Sequence, residues 1–140
     1  MILLLSAAIA AILFLTLLPF RLESGPDLVD IVPELLRPLT RAPRPGDVLR
    51  NVILFMPLGF AGLGTIAGRL KVPPRWCRIA VIGGGVLLSL TIEVAQIYIP
   101  GRVSNLYDVM FDGLGTALGV VAAIWRQRLI ERRRFAVTAR

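Results

Sequence analysis

The sequence predicts an all-α, polytopic membrane protein: a four-transmembrane-helix bundle with a short interfacial helix in its first external loop. Three observations predict it. The 140-residue chain is 56% hydrophobic, more than a soluble fold this short can hide from water. The apolar residues gather into four runs. The basic residues collect between and after those runs, as topogenic charge does.

The first span covers about 2–20, from Ile2 to Phe20, without a charged residue. It has no basic segment ahead of it, and Leu-Pro-Phe-Arg follows instead of a small-residue cleavage site, so it reads as a retained helix. The connection Arg21 to Asp47 carries Pro26, Pro33, Pro38, Pro43 and Pro45. Its middle, Asp27 to Leu36, mixes apolar and acidic residues and is the expected interfacial helix. The second span is expected at 48–68, the third at 79–99 and the fourth at 106–125. Residues 1–126 then form one membrane domain, and 127–140 a basic tail. Pro57 lies inside the second span and frees the carbonyl of Ile53, so a kink is expected beside Asn51. Gly64-x-x-x-Gly68 and Gly115-x-x-x-Gly119 offer faces for close helix approach within the bundle.

Charge distribution sets the expected orientation. The connection between spans two and three holds Arg69, Lys71, Arg75 and Arg78 and no acid. The tail holds Arg126, Arg128, Arg132, Arg133, Arg134 and Arg140 against Glu131. The first connection sets Arg21, Arg37, Arg41 and Arg44 against Glu23, Asp27, Asp30, Glu34 and Asp47. With four spans, both termini are cytoplasmic in a plasma-membrane protein, and the first connection is external. The net charge of +7 is therefore membrane topology, not a nucleic-acid footprint.

Several chemistries are absent from the sequence. Histidine does not occur, which removes the usual imidazole base and most transition-metal sites. Cys77 is alone, so no intrachain disulfide forms. Gly83-Gly84-Gly85 is not a phosphate loop, because no Lys-Ser/Thr follows it. No cofactor and no metal site are expected.

The candidate site lies in the expected outer half of the bundle. Carboxylates in hydrocarbon cost roughly 2.5–3.5 kcal/mol each on insertion scales, so those that stay are paired, wet or functional. Glu93 and Gln96 are three residues apart and share a helical face; Asp108 and Asp112, four apart, do the same. Arg50 and Arg102 are placed to neutralise the three acids. One hydrogen-bonded network of Arg50, Asn51, Glu93, Gln96, Arg102, Asp108 and Asp112 is expected. Plainer roles compete with this. Asp47 reads as the N-cap of the second span, and Asn105 with Asp108 as a capping pair. Glu93 and Asp112 read as too deep for capping, and their alternative is a structural ion pair that fixes helix register.

These residues together resemble the VanZ-like family. The resemblance runs from Thr16-Leu-Leu-Pro19, through Asn51-Val-Ile-Leu-Phe55-Met-Pro57-Leu-Gly59 and Glu93-Val-Ala-Gln96, to Arg102 and Asp108-Val-Met-Phe-Asp112-Gly-Leu-Gly115-Thr-Ala-Leu-Gly119. The family usually carries Asn where Asp112 stands, so a role that needs a neutral amide there does not transfer. The resemblance implies an envelope protein, named for a factor associated with teicoplanin resistance, whose biochemical mechanism is poorly defined.

The function expected is binding or modification of a lipid-linked or glycopeptide-related ligand at the outer leaflet. Arg50 and Arg102 would hold a phosphate or carboxylate head, such as a polyprenyl phosphate or another anionic lipid. Asn51 and Gln96 would orient it, and Glu93 and Asp108 would serve as acid and base if the site is enzymatic. A divalent ion on Glu93, Asp108 and Asp112 is a lesser alternative. A non-enzymatic scaffold or accessory subunit with a structural polar network is the competing reading, and a transporter is a weaker third.

Overall fold

Proline sets where two of the long helices begin. The computed structural model describes residues 1–23, 27–36, 43–67, 69 and 73–138. Among them the fold is all-helical: α1 (Ile2–Leu17), a 3-10 turn at Leu28–Asp30, α2 (Ile31–Leu36), α3 (Pro45–Ile66), α4 (Pro74–Gln96) and α5 (Leu106–Thr138). Pro45 and Pro74 are the first residues of α3 and α4. Their fixed φ and missing N–H suit that position. Both helices therefore start earlier than the hydrophobic runs, at 45 in place of 48 and at 74 in place of 79.

This displaces one expected cap. The N-cap of α3 is Arg44, without a side-chain capping bond, and Asp47 falls in the first helical turn. Its carboxylate there meets the positive end of the helix dipole. Pro57 lies inside α3, which remains one helix through it. Gly68 and Lys71, along with residues 37–42 and 139–140, lie outside the described residues.

α3, α4 and α5 are each long and apolar enough to cross a membrane, α5 over Leu106–Arg133. α1 is apolar but shorter, at 16 residues. The connection after α1 contains the turn and short helix within the stretch expected to be helical; α2 buries Leu35.

Contact pairs give the directions of the helices. Val52 of α3 lies against Gly115, and Met56 and Phe60 lie against Gly119, so α3 and α5 run parallel. Val86 meets Gly113 while Gly85 meets Thr116, so α4 runs antiparallel to α5. Met1 packs on Gly64, and Ile12 joins Phe55 and Leu58 in one apolar cluster, so α1 runs antiparallel to α3. A second cluster, of Leu63, Cys77, Val81, Val120 and Ala123, closes the opposite half of the bundle.

The α3–α5 contact is the tightest. A Cβ on Gly115 or Gly119 would overlap the carbonyl oxygens of Val52 and Met56, and one on Gly59 would overlap that of Thr116. Small residues let the two backbones touch, as they do between packed membrane helices. The Gly115/Gly119 face thus serves packing within the bundle.

Candidate functional site

The buried face of α4 carries the site. Cys77, Val81, Gly85, Ser89, Ile92, Glu93 and Gln96 are its buried residues, spaced three and four apart along one stripe. The lower half of this stripe is apolar or small, and the upper half is polar. It faces α5, whose inward residues there include Asp112 and Thr116, both buried.

Ser89 Oγ donates to Asp112 Oδ2 at 2.6 Å. Thr116 Oγ1 donates back to the Asp112 carbonyl at 2.9 Å. One turn above, Glu93 Oε2 accepts two bonds, from Ser104 Oγ at 3.0 Å and from the backbone N–H of Asn105 at 2.6 Å. Asn105 Oδ1 in turn accepts the N–H of Tyr107 at 3.0 Å. Asn105 is therefore the N-cap of α5, as its spacing suggested. Glu93 secures that cap from the neighbouring helix, which corrects its exclusion from capping. It is deep in α4, but the loop Tyr98–Asn105 folds back over the end of the bundle and brings the start of α5 to it.

The other end of the site is tied to α1. Gln96 Nε2 donates to the Thr16 carbonyl at 3.0 Å. Arg102 Nη2 donates to the carbonyls of Leu18 at 3.0 Å and Leu15 at 3.3 Å. These are end-of-helix oxygens with no partner further along α1, and a cation suits a helix C-terminus. The Glu23 N–H donates to the Tyr98 carbonyl at 2.9 Å, holding the chain after α1 to the end of α4.

All seven expected site residues line one open cavity of about 890 Å³, with Arg44, Asp47, Leu15, Thr16, Leu49, Ile53, Leu54 and Ile92 among its other walls. Arg50, Asp108 and Asp112 face the same cavity. The single network expected is in fact three separate sets: Ser89–Asp112, Ser104–Asn105–Glu93, and Gln96 with Arg102 on α1. Among the described residues, neither Arg50 nor Arg102 comes within ion-pairing distance of a carboxylate, and the carboxylates bond to hydroxyl and N–H groups instead. No group of three acidic, Cys or His residues that could hold a metal ion occurs among them either. The Asn51 side chain approaches Asp108, yet its Nδ2 has no hydrogen-bond partner, and nor does Asp112 Oδ1.

Sequence reasoning missed Ser89, Ser104, Thr116 and Arg44. Ser89 had a usable signal, lying four residues before Glu93 on the same face. Ser104 sits in a loop, where no periodicity marks it.

The model of the VanZ/LLP1 family matches residues 3–127. No curated protein and no solved structure shows significant similarity to the chain. The match covers nearly the whole sequence, including every residue of the cavity, so the chain belongs to the VanZ/LLP1 family.

Proposed function

We propose that this VanZ/LLP1 protein binds the anionic head of a lipid-linked envelope ligand in the cavity between α1, α3, α4 and α5, at the outer leaflet. One observation carries the reading. Arg44, Arg50 and Arg102 all line the cavity, while Glu93 and Asp112 are engaged by their own hydrogen-bond donors. Guanidinium groups that form no direct ion pair with a carboxylate are suited to a phosphate or carboxylate brought by a ligand. Leu15, Leu49 and Ile53 line the same cavity and are exposed. That gives an apolar flank for the chain of a polyprenyl phosphate or another anionic lipid.

The proposal includes four spans with both termini cytoplasmic, a short interfacial helix formed by the stretch through α2, a membrane domain over residues 1–126 and a basic tail over 127–140. The antiparallel course of α1 beside α3 supports the fourth span. A contribution to glycopeptide resistance of the teicoplanin type is the physiological form of this reading, through sequestering or altering a wall precursor. Were the site enzymatic, Glu93 and Asp108 would supply its acid and base.

Lipid-resolved native mass spectrometry tests the binding. The purified wild-type protein is compared with the R50A/R102A double variant. The expected result is a co-purifying phosphorylated polyprenyl or anionic lipid that the double variant loses. No specific lipid, or equal lipid on both, overturns the reading.

A scaffold reading also has an observation behind it. Gln96 and Arg102 spend donors on α1 carbonyls, so part of the cluster fastens helices. On that reading Arg102→Ala lowers stability and abundance together. On the binding reading, Arg50→Ala abolishes ligand while folded protein accumulates, since Arg50 makes no direct bond among the described residues.

A further inference from the structure

The helix pairs around the cavity are not joined alike. Between α3 and α5, Val52 and Gly115 bring the two backbones together. Between α4 and the start of α5, Ser89 donates to Asp112, and Ser104 and Asn105 donate to Glu93. Between α1 and α4, Gln96 and Arg102 donate to the carbonyls of Thr16, Leu15 and Leu18. α1 meets α3 through apolar side chains, Ile12 with Phe55 and Leu58. Ile12 and Phe55 are both 0% exposed. Nearer the end of α1 and the start of α3 the picture reverses. Leu15 is 57% exposed, Ile53 57% and Leu49 60%, and all three line the cavity. The α1–α3 seam is therefore sealed at Ile12 and Phe55 and parts beyond them.

We propose that this seam is a lateral portal: the ligand's head enters the cavity sideways from the outer leaflet between α1 and α3, while its chain stays in the bilayer against Leu15, Leu49 and Ile53. The proposal rests on the lipid-binding reading above and deepens it, because it restricts the ligand to an amphiphile resident in the membrane and excludes a soluble one. The register of α3 supports it. Leu49 and Ile53 are four residues apart and stand one above the other on a helix face. Arg50 is level with Leu49, and Ile53 lies about 4.5 Å further into the bundle along the axis. Arg44 lies just ahead of the helix. The cations thus stand at the mouth and the exposed apolar side chain of Ile53 below them. A lipid in the outer leaflet has the same polarity, with its charged head outward and its chain toward the midplane.

The route also settles where the chain goes. A cavity open only to water would draw the chain out of the bilayer, at a cost that grows with every methylene. A cavity open to the side leaves the chain where it is and moves only the head. The Gln96 and Arg102 bonds hold the end of α1 to α4, so α1 forms one fixed side of the portal and α3 the other.

The test uses the full-length protein in nanodiscs and two probes with the same phosphate monoester head. Undecaprenyl phosphate carries a long chain, and isopentenyl phosphate is short and water-soluble. L49W/I53W crowds the portal and leaves Arg44, Arg50 and Arg102 in place. It is expected to weaken undecaprenyl phosphate roughly tenfold more than isopentenyl phosphate. Leu87 is 65% exposed on α4 and lies outside the cavity, so L87W should change neither probe by more than about twofold. R50A should weaken both probes alike. A second readout serves where the double variant fails to fold. The photo-crosslinker p-benzoylphenylalanine in place of Ile53 should capture undecaprenyl phosphate and lose it in the R50A background. In place of Leu87 it should give only a background that R50A leaves unchanged.

The failures are distinguishable. Equal effects of L49W/I53W on the two probes, with R50A weakening both, overturn the portal and leave the anionic-lipid reading intact. Capture at position 53 no stronger than at position 87 does the same. Binding of both probes that is indifferent to R50A overturns the portal and the lipid reading together. Displacement of bound undecaprenyl phosphate by equimolar isopentenyl phosphate overturns a membrane-resident ligand, whereas retention supports one.

Discussion

Glu93 Oε2 receives two bonds that tie α4 to the loop and the N-cap of α5. A glutamine can present its carbonyl oxygen to the same two donors, so E93Q should unfold in detergent within about 1 kcal/mol of wild type. E93L strands the Asn105 N–H and the Ser104 hydroxyl, and should cost about 1–3 kcal/mol in the same titration. A larger loss for E93Q than for E93L would mean that the carboxylate charge, not its acceptor oxygen, holds the site. S89A poses the parallel question at Asp112. Removing the 2.6 Å donor leaves both carboxyl oxygens unpaired, with an expected loss of about 1–3 kcal/mol. The acids were legible in the sequence because a carboxylate in an apolar run stands out. Their partners were not, because serine barely changes hydropathy and Ser104 lies off any helix. Ion pairs were expected because only Arg50 and Arg102 offered charge nearby. A hydroxyl or a backbone N–H stabilises a carboxylate too, and sequence does not show which backbone groups a returning loop will present.

Among the helices, the α3–α5 contact offers the sharpest contrast. G119A places a methyl against the Met56 carbonyl and the Phe60 N–H, both backbone, which cannot swing aside. It should destabilise by about 1–3 kcal/mol as the helices part. G83A meets nothing within 4 Å and should be neutral or gain up to about 1 kcal/mol from helix propensity. Thermal unfolding of the two variants side by side checks the pair, and similar losses for both would sink the close-approach account. Small residues at four-residue spacing announced the Gly115 and Gly119 face. Its partner surface on α3 was not announced, because the overlapping atoms are carbonyl oxygens that every residue carries. Helix starts were misjudged by three to five residues for a related reason. Hydropathy marks where lipid begins, whereas Pro45 and Pro74 mark where the backbone turns helical, and the two need not coincide.

At the scale of the whole molecule, the open question is whether α1 completes a fourth crossing. Its 16 residues give about 24 Å, against a hydrocarbon core of about 30 Å. The deficit is within what local thinning of the bilayer accommodates, at a fraction of a kcal/mol per Å. Packing argues that it crosses. Met1 lies at Gly64, near the end of α3, while Thr16 and Leu18 lie at Gln96 and Arg102, at the end of α4. Those ends belong to opposite faces, since α3 and α4 are successive antiparallel helices. Trp76 and Trp125 are exposed on the Met1 side, where Arg75 stacks on Trp76 at 5.6 Å, an arrangement suited to a cytoplasmic interface. Single cysteines decide the matter, one ahead of Met1, one as V29C and one as R132C, labelled in intact cells with a membrane-impermeant maleimide. Cys77 is buried and should stay unlabelled in the parent. Four crossings with cytoplasmic termini predict labelling at 29 alone until the cells are permeabilised. Labelling at both 29 and the N-terminal cysteine would leave α1 on the outer surface and the bundle with three spans. Labelling at 132 and not at 29 would invert the protein and move the cavity to the inner leaflet, where an external wall precursor could not reach it.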